Sequence, residues 1–97
     1  MTPIFRGAVG INIVCDTGLG DITGYTKARI KMVKPSGETK LIVPDSVTTL
    51  TGLINYNTIV DDFDETGEYK FSSYLEYGDN EIFDGEIVKV RVYEPLF

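Results

Sequence analysis

Along residues 69–77 the chain alternates without a break: Tyr69, Phe71, Ser73, Leu75 and Tyr77 are interleaved with Lys70, Ser72, Tyr74 and Glu76. A period of two puts one set on each face of an extended backbone, so this stretch predicts a central strand. The same period recurs where Ala28, Ile30 and Met32 oppose Lys27, Arg29 and Lys31, which predicts a strand with one wet face. Shorter alternations mark Val9, Ile11, Ile13 and Cys15, then Ile54 and Tyr56 within residues 53–58, and last Val88, Val90 and Val92. No segment carries the 3.6-residue period of an amphipathic helix.

Turn chemistry separates these stretches. Asp16-Thr17-Gly18-Leu19-Gly20-Asp21 combines glycines with aspartates that bond their own backbone, and reads as a loop. In Lys34-Pro35-Ser36-Gly37, Pro35 presets φ and Gly37 accepts a positive φ, so residues 39–43 are expected to return antiparallel. Pro44-Asp45-Ser46 breaks the returning strand, and Gly78-Asp79-Asn80 turns the chain before the last one. Turns at roughly 8–12-residue spacing suit an all-β antiparallel sandwich of about seven strands. Residues 1–97 hold no repeat and no linker, and form a single expected domain able to bury roughly two-thirds of its unfolded surface.

Composition narrows the chemistry. The chain is 42% hydrophobic and 25% charged, ordinary for a folded globular protein. Fifteen acids against nine bases give a net charge of −6, which repels phosphate backbones and argues against nucleic acid as a partner. Histidine is absent, which removes the commonest general base and the commonest zinc ligand together. No catalytic residue is assigned, and the protein is not expected to be an enzyme. Cys15 shares phase with Ile11 and Ile13 and is expected to be a small buried apolar residue.

Asp61, Asp62, Asp64 and Glu65, with Asp79, Glu81 and Asp84, invite a calcium reading. A hard cation needs about six to eight oxygen ligands from a loop of defined spacing. The spacing here is irregular, so the acids are expected to form a solvated face, and neither metal nor cofactor is assigned. Arg6 and Gly7 interrupt the apolar residues near the start, and no run approaches the roughly 18 residues of a membrane span. Neither a targeting segment nor a membrane partner is expected.

Glu65-Thr66-Gly67-Glu68-Tyr69-Lys70-Phe71 resembles the acid-x-Gly-x-Tyr-x-Cys signature of immunoglobulin-like domains, with Phe71 where the disulfide cysteine would stand. The resemblance implies that Tyr69, two residues after Gly67, returns its hydroxyl to backbone a few residues upstream and closes a corner between sheets. A narrower resemblance runs over roughly residues 9–97. Asp16-Thr17-Gly18, Asp21-Ile22-Thr23-Gly24-Tyr25-Thr26, the Pro35 and Gly37 hairpin, Gly67-Glu68-Tyr69 and Glu94-Pro95-Leu96-Phe97 are similar, in order and spacing, to small immunoglobulin-like phage structural proteins. These are related to the N-terminal module of baseplate upper proteins. The chain departs from the pattern at Gly20, an extra loop residue, and at Tyr25 and Ser36.

The resemblance implies an immunoglobulin-like β-sandwich without catalysis, made in the host cytoplasm and built into the virion as a small adaptor or decoration at tail, neck, fibre or capsid. Its partners would be other virion proteins and copies of itself. Ile4 and Phe5 near one end, and Pro95, Leu96 and Phe97 at the other, are apolar where chain ends are more often polar, and are the candidate contact residues. The alternative is a carbohydrate- or host-surface-binding module, which would need two or more of Tyr25, Tyr74 and Tyr93 on one face.

Overall fold

The computed structural model describes residues 3–78 and 81–96, and the alternating stretches become strands. Nine occur among the described residues: β1 (Ile4–Phe5), β2 (Asn12–Asp16), β3 (Lys27–Val33), β4 (Thr39–Ile42), β5 (Ser46–Thr48), β6 (Leu53–Asn57), β7 (Gly67–Tyr77), β8 (Glu81–Asp84) and β9 (Val88–Tyr93). They form two sheets. The larger runs β1-β9-β7-β3-β4, with β8 also paired to β7, and the smaller runs β2-β6-β5.

β7 organises the larger sheet because its period holds over eleven residues. Tyr69, Phe71, Ser73 and Leu75 point inward and are buried, in register with Val90, Val88 and Phe83 on one side and with Met32, Ile30 and Ala28 on the other. From the smaller sheet Ile13, Cys15, Ile54 and Tyr56 meet them in one core. Phe63, from the segment before β7, packs edge-on against Tyr69 at 5.0 Å and Phe71 at 6.2 Å between ring centres. Such tilted aromatic pairs contribute about 0.5–1.5 kcal/mol each beyond the area they bury. Ile22 fills the core from the loop after β2, held there where its amide donates to the Thr49 carbonyl at 2.8 Å.

Four expectations need correction. The strands number nine rather than about seven, since the short β1, β5 and β8 carry too little alternation to be read. The architecture is not wholly antiparallel: β1 runs parallel to β9, pairing Ile4 with Val92 and Phe5 with Tyr93. The first alternating stretch becomes strand only from Asn12, and Val9 is exposed in the segment before it. Asp62 does not lie on a solvated face. It is 1% exposed, because three donors replace its water: the Tyr56 hydroxyl at 2.5 Å, the Ile59 amide at 2.8 Å and Lys40 Nζ at 3.3 Å.

Candidate interaction surface

The side chains singled out for structural roles converge on one corner. The β3–β4 hairpin closes with the Lys34 amide donating to the Glu38 carbonyl and the Gly37 amide to the Lys34 carbonyl, each at 2.8 Å. Gly37 has φ 95°, the left-handed region the turn needs. Gly67 has φ 124° and lies so close to Pro35 that an added Cβ would stand 2.9 Å from the proline Cβ. The Tyr69 ring is fully buried, and its hydroxyl accepts the Glu65 amide at 3.0 Å, four residues upstream.

Further bonds here were not legible in the sequence. Lys34 Nζ, on a side chain only 9% exposed, donates to Asp64 at 2.8 Å and lies 3.3 Å from Glu38. The bond raises the lysine pKa and lowers that of Asp64. Glu65 accepts both the amide and the hydroxyl of Ser36 at 3.0 Å. The hairpin is thereby tied to the segment that leads into β7. Beside this brace, Lys34, Pro35, Gly37, Glu68 and Lys70 line an open recess of about 350 Å³.

Of the candidate contact residues, Ile4 and Phe5 lie at the opposite edge of the larger sheet, on the strand paired with the end of β9, from which the chain runs on to Pro95 and Leu96. Because β1 pairs with β9, Ile4 and Phe5 lie beside Val92 and Tyr93, with the Phe5 and Tyr93 rings 6.4 Å apart. Arg6 grips Glu94 through two hydrogen bonds of 2.5 and 3.2 Å, which hold the glutamate carboxyl below its usual range. Phe5 is 46% exposed, Tyr93 47% and Leu96 87%, while Pro95 is half-buried. Phe97 lies outside the described residues. Beside them Pro3, Ile4, Val88 and Val90, with Lys89 and Arg91, line a groove of about 340 Å³. Arg6 and Glu94 thus tie β1 to the end of β9, and their 88-residue separation gave no local signal.

Two of the three tyrosines considered for sugar binding, Tyr74 and Tyr93, share the outer face of the larger sheet but stand apart along it, Tyr93 just beyond the Gly67–Val92 pair and Tyr74 seven residues along β7 from it. Tyr74 lies on the outer face of β7 under Lys31 Nζ, 4.9 Å from its ring centre. Tyr93 pairs with Phe5, and Tyr25 lines a groove with Val43, Pro44 and Val47. Among the described residues no group of three or more acids and cysteines is placed to hold a metal ion. Asp79, one of the acids considered for calcium, lies outside them. No protein-family model, curated protein or solved structure matches the chain.

Proposed function

We propose that this protein is a non-catalytic structural part of a phage particle, an immunoglobulin-like β-sandwich that attaches to other virion proteins or to copies of itself. Two features support the fold reading. The smaller sheet, β2-β6-β5, follows the B-E-D order of immunoglobulin domains, and β9-β7-β3-β4 follows G-F-C-C′, with β8 and β9 successive along one edge of β7. The Tyr69 hydroxyl bonds backbone upstream, as the corner tyrosine of such domains does.

The observation that carries the functional reading is the exposed apolar surface at the β1–β9 edge and on the segment that leaves β9. Phe5 and Tyr93, on paired strands, and Leu96 beyond them present exposed aromatic and aliphatic surface, and aromatic side chains in particular anchor protein contacts. The sugar-binding alternative gains no support from the separated tyrosines. The test is occupancy. Removing Leu96 and Phe97 and replacing Phe5 by serine should leave the isolated domain folded and lower its copy number in assembled particles. Purified particles that contain none of the unaltered protein would sink the reading.

A further inference from the structure

The net charge of −6 conceals a segregation. The outer face of the larger sheet carries Lys27, Arg29 and Lys31 from β3, Lys70 from β7, and Lys89 and Arg91 from β9, six of the nine cations of the chain. Among the described residues only three acids, Glu68, Glu76 and Asp84, share that face. The other three cations, Arg6, Lys34 and Lys40, each have a carboxylate partner, so the other eleven described acids dominate the rest of the described chain.

On the basic face Lys27 pairs with Glu76 at 3.6 Å and Lys31 with Asp84 at 2.8 Å, and Glu68 stands opposite Arg91. Lys70 has no such relief. It stands directly opposite Lys89, both are exposed, and neither has an ion-pair partner among the described residues. Like charges at directly opposed positions destabilise a sheet, and an anion placed over them reverses the sign. Interspersed acids repel a phosphate chain but suit a protein surface of mixed charge. Two basic faces repel each other, so a contact between copies must join this face to a different surface.

The turn after β6 supplies one. Ile59 is 55% exposed and Val60 68%, and Asp61 follows with φ 73°, exposed and without a cation partner among the described residues. Buried Asp62 holds the turn by accepting the Ile59 amide and donating its own amide to the Ile59 carbonyl at 3.2 Å. A braced turn that exposes two β-branched side chains and one carboxylate costs little entropy to dock. We propose that the basic outer face of the larger sheet, centred on Lys70 and Lys89, receives the Ile59-Val60-Asp61 turn of a second copy of this chain. Val33, in register with Lys70, provides half-buried apolar surface for Val60. The proposal rests on the reading of the protein as a repeated structural part, and supplies the contact between copies.

Sedimentation velocity of the full chain at about 20 mM and about 300 mM salt tests it, since the screening length shrinks severalfold over that range. Concentration-dependent association is expected at low salt and should weaken at high salt. Lys70→Glu with Lys89→Glu, and separately Asp61→Asn, should each weaken it at least ~tenfold. Adding Asp61→Lys to the doubly reversed chain should restore it. Asparagine tolerates the left-handed backbone at position 61, and circular dichroism melts establish that each variant is folded. A chain that stays monomeric at low salt, or variants that associate like the original, overturn the proposal. So does retention of a single-stranded DNA oligonucleotide that depends on Lys70 and Lys89, which gives the face to phosphate. The chain lacking Leu96 and Phe97 should self-associate unchanged, so loss of this contact and loss of the particle role are read by separate experiments.

Discussion

Tyr69 does two jobs with two parts of one side chain. Its ring packs against Phe63 and Phe71, and its hydroxyl accepts the Glu65 amide. Tyr69→Phe keeps the ring and leaves the amide unpaired in a partly buried place, so stability should fall by about 1 kcal/mol. Chemical denaturation should show a lower midpoint with an unchanged slope, and an unchanged midpoint would refute the corner bond. Asp62 follows related logic: a carboxylate is tolerated in the interior only where hydrogen bonds and a cation replace its hydration. Burial pushes the Tyr56 phenol pKa up, and the hydrogen bond to Asp62 adds to that rise. The acid-rich run around it shows no local difference between the residue that turns inward and those that stay in water, which is why a uniformly solvated face was the natural reading of the sequence.

At the scale of elements, register and tethering do the work. Cys15 lies opposite Ile54 in β2–β6 pairing and is fully buried, which pushes its thiol up to about 11. A thiol reagent should therefore label the native protein slowly and the denatured protein quickly. Rapid native labelling would place β2 one residue out of register, because a slip of one exchanges the faces. The tether between the β3–β4 hairpin and the start of β7 depends on pH. Lys34 lowers the Asp64 pKa in the folded state, so this contribution is present at neutral pH and is lost as pH falls from about 4 through the lowered value. Lys34 is shifted upward, and its share disappears only as pH rises through that raised value. Stability measured by denaturation should decline below about pH 4, and Asp64→Asn should flatten that decline. An identical acid limb in the variant would remove Asp64 from the account.

Across the whole molecule, two surfaces with different physics lie on one sheet. The apolar edge at Phe5 and Tyr93 adjoins a face on which, among the described residues, cations outnumber acids. Net charge alone argues against anionic partners, yet at a screening length of about 8 Å a partner at contact meets the local face more than the average. Particle occupancy of the end-truncated chain reads the first surface, and salt-dependent association of the Lys70 and Lys89 variant reads the second.

The strands with one buried face were legible in the sequence because each reports its environment within a few residues. β3, β6, β7 and β9 follow their alternation, and Pro35 and Gly37 mark their hairpin through backbone preference alone. Cys15, Ile54 and Tyr56 are buried as their phase required. Tertiary structure decided the rest. β8 is exposed at all four positions and is a strand only because β7 offers it a partner, so no period announces it. β1 is two residues long and owes its direction to β9, more than eighty positions away. Asp62 is inside because Tyr56, Ile59 and Lys40 converge on it, and the cations of β3, β7 and β9 share a face because three separate strands pair in one register. Local alternation encodes which side of a strand is dry, whereas the identity of neighbours across a sheet depends on contacts between distant residues that no short window of sequence contains.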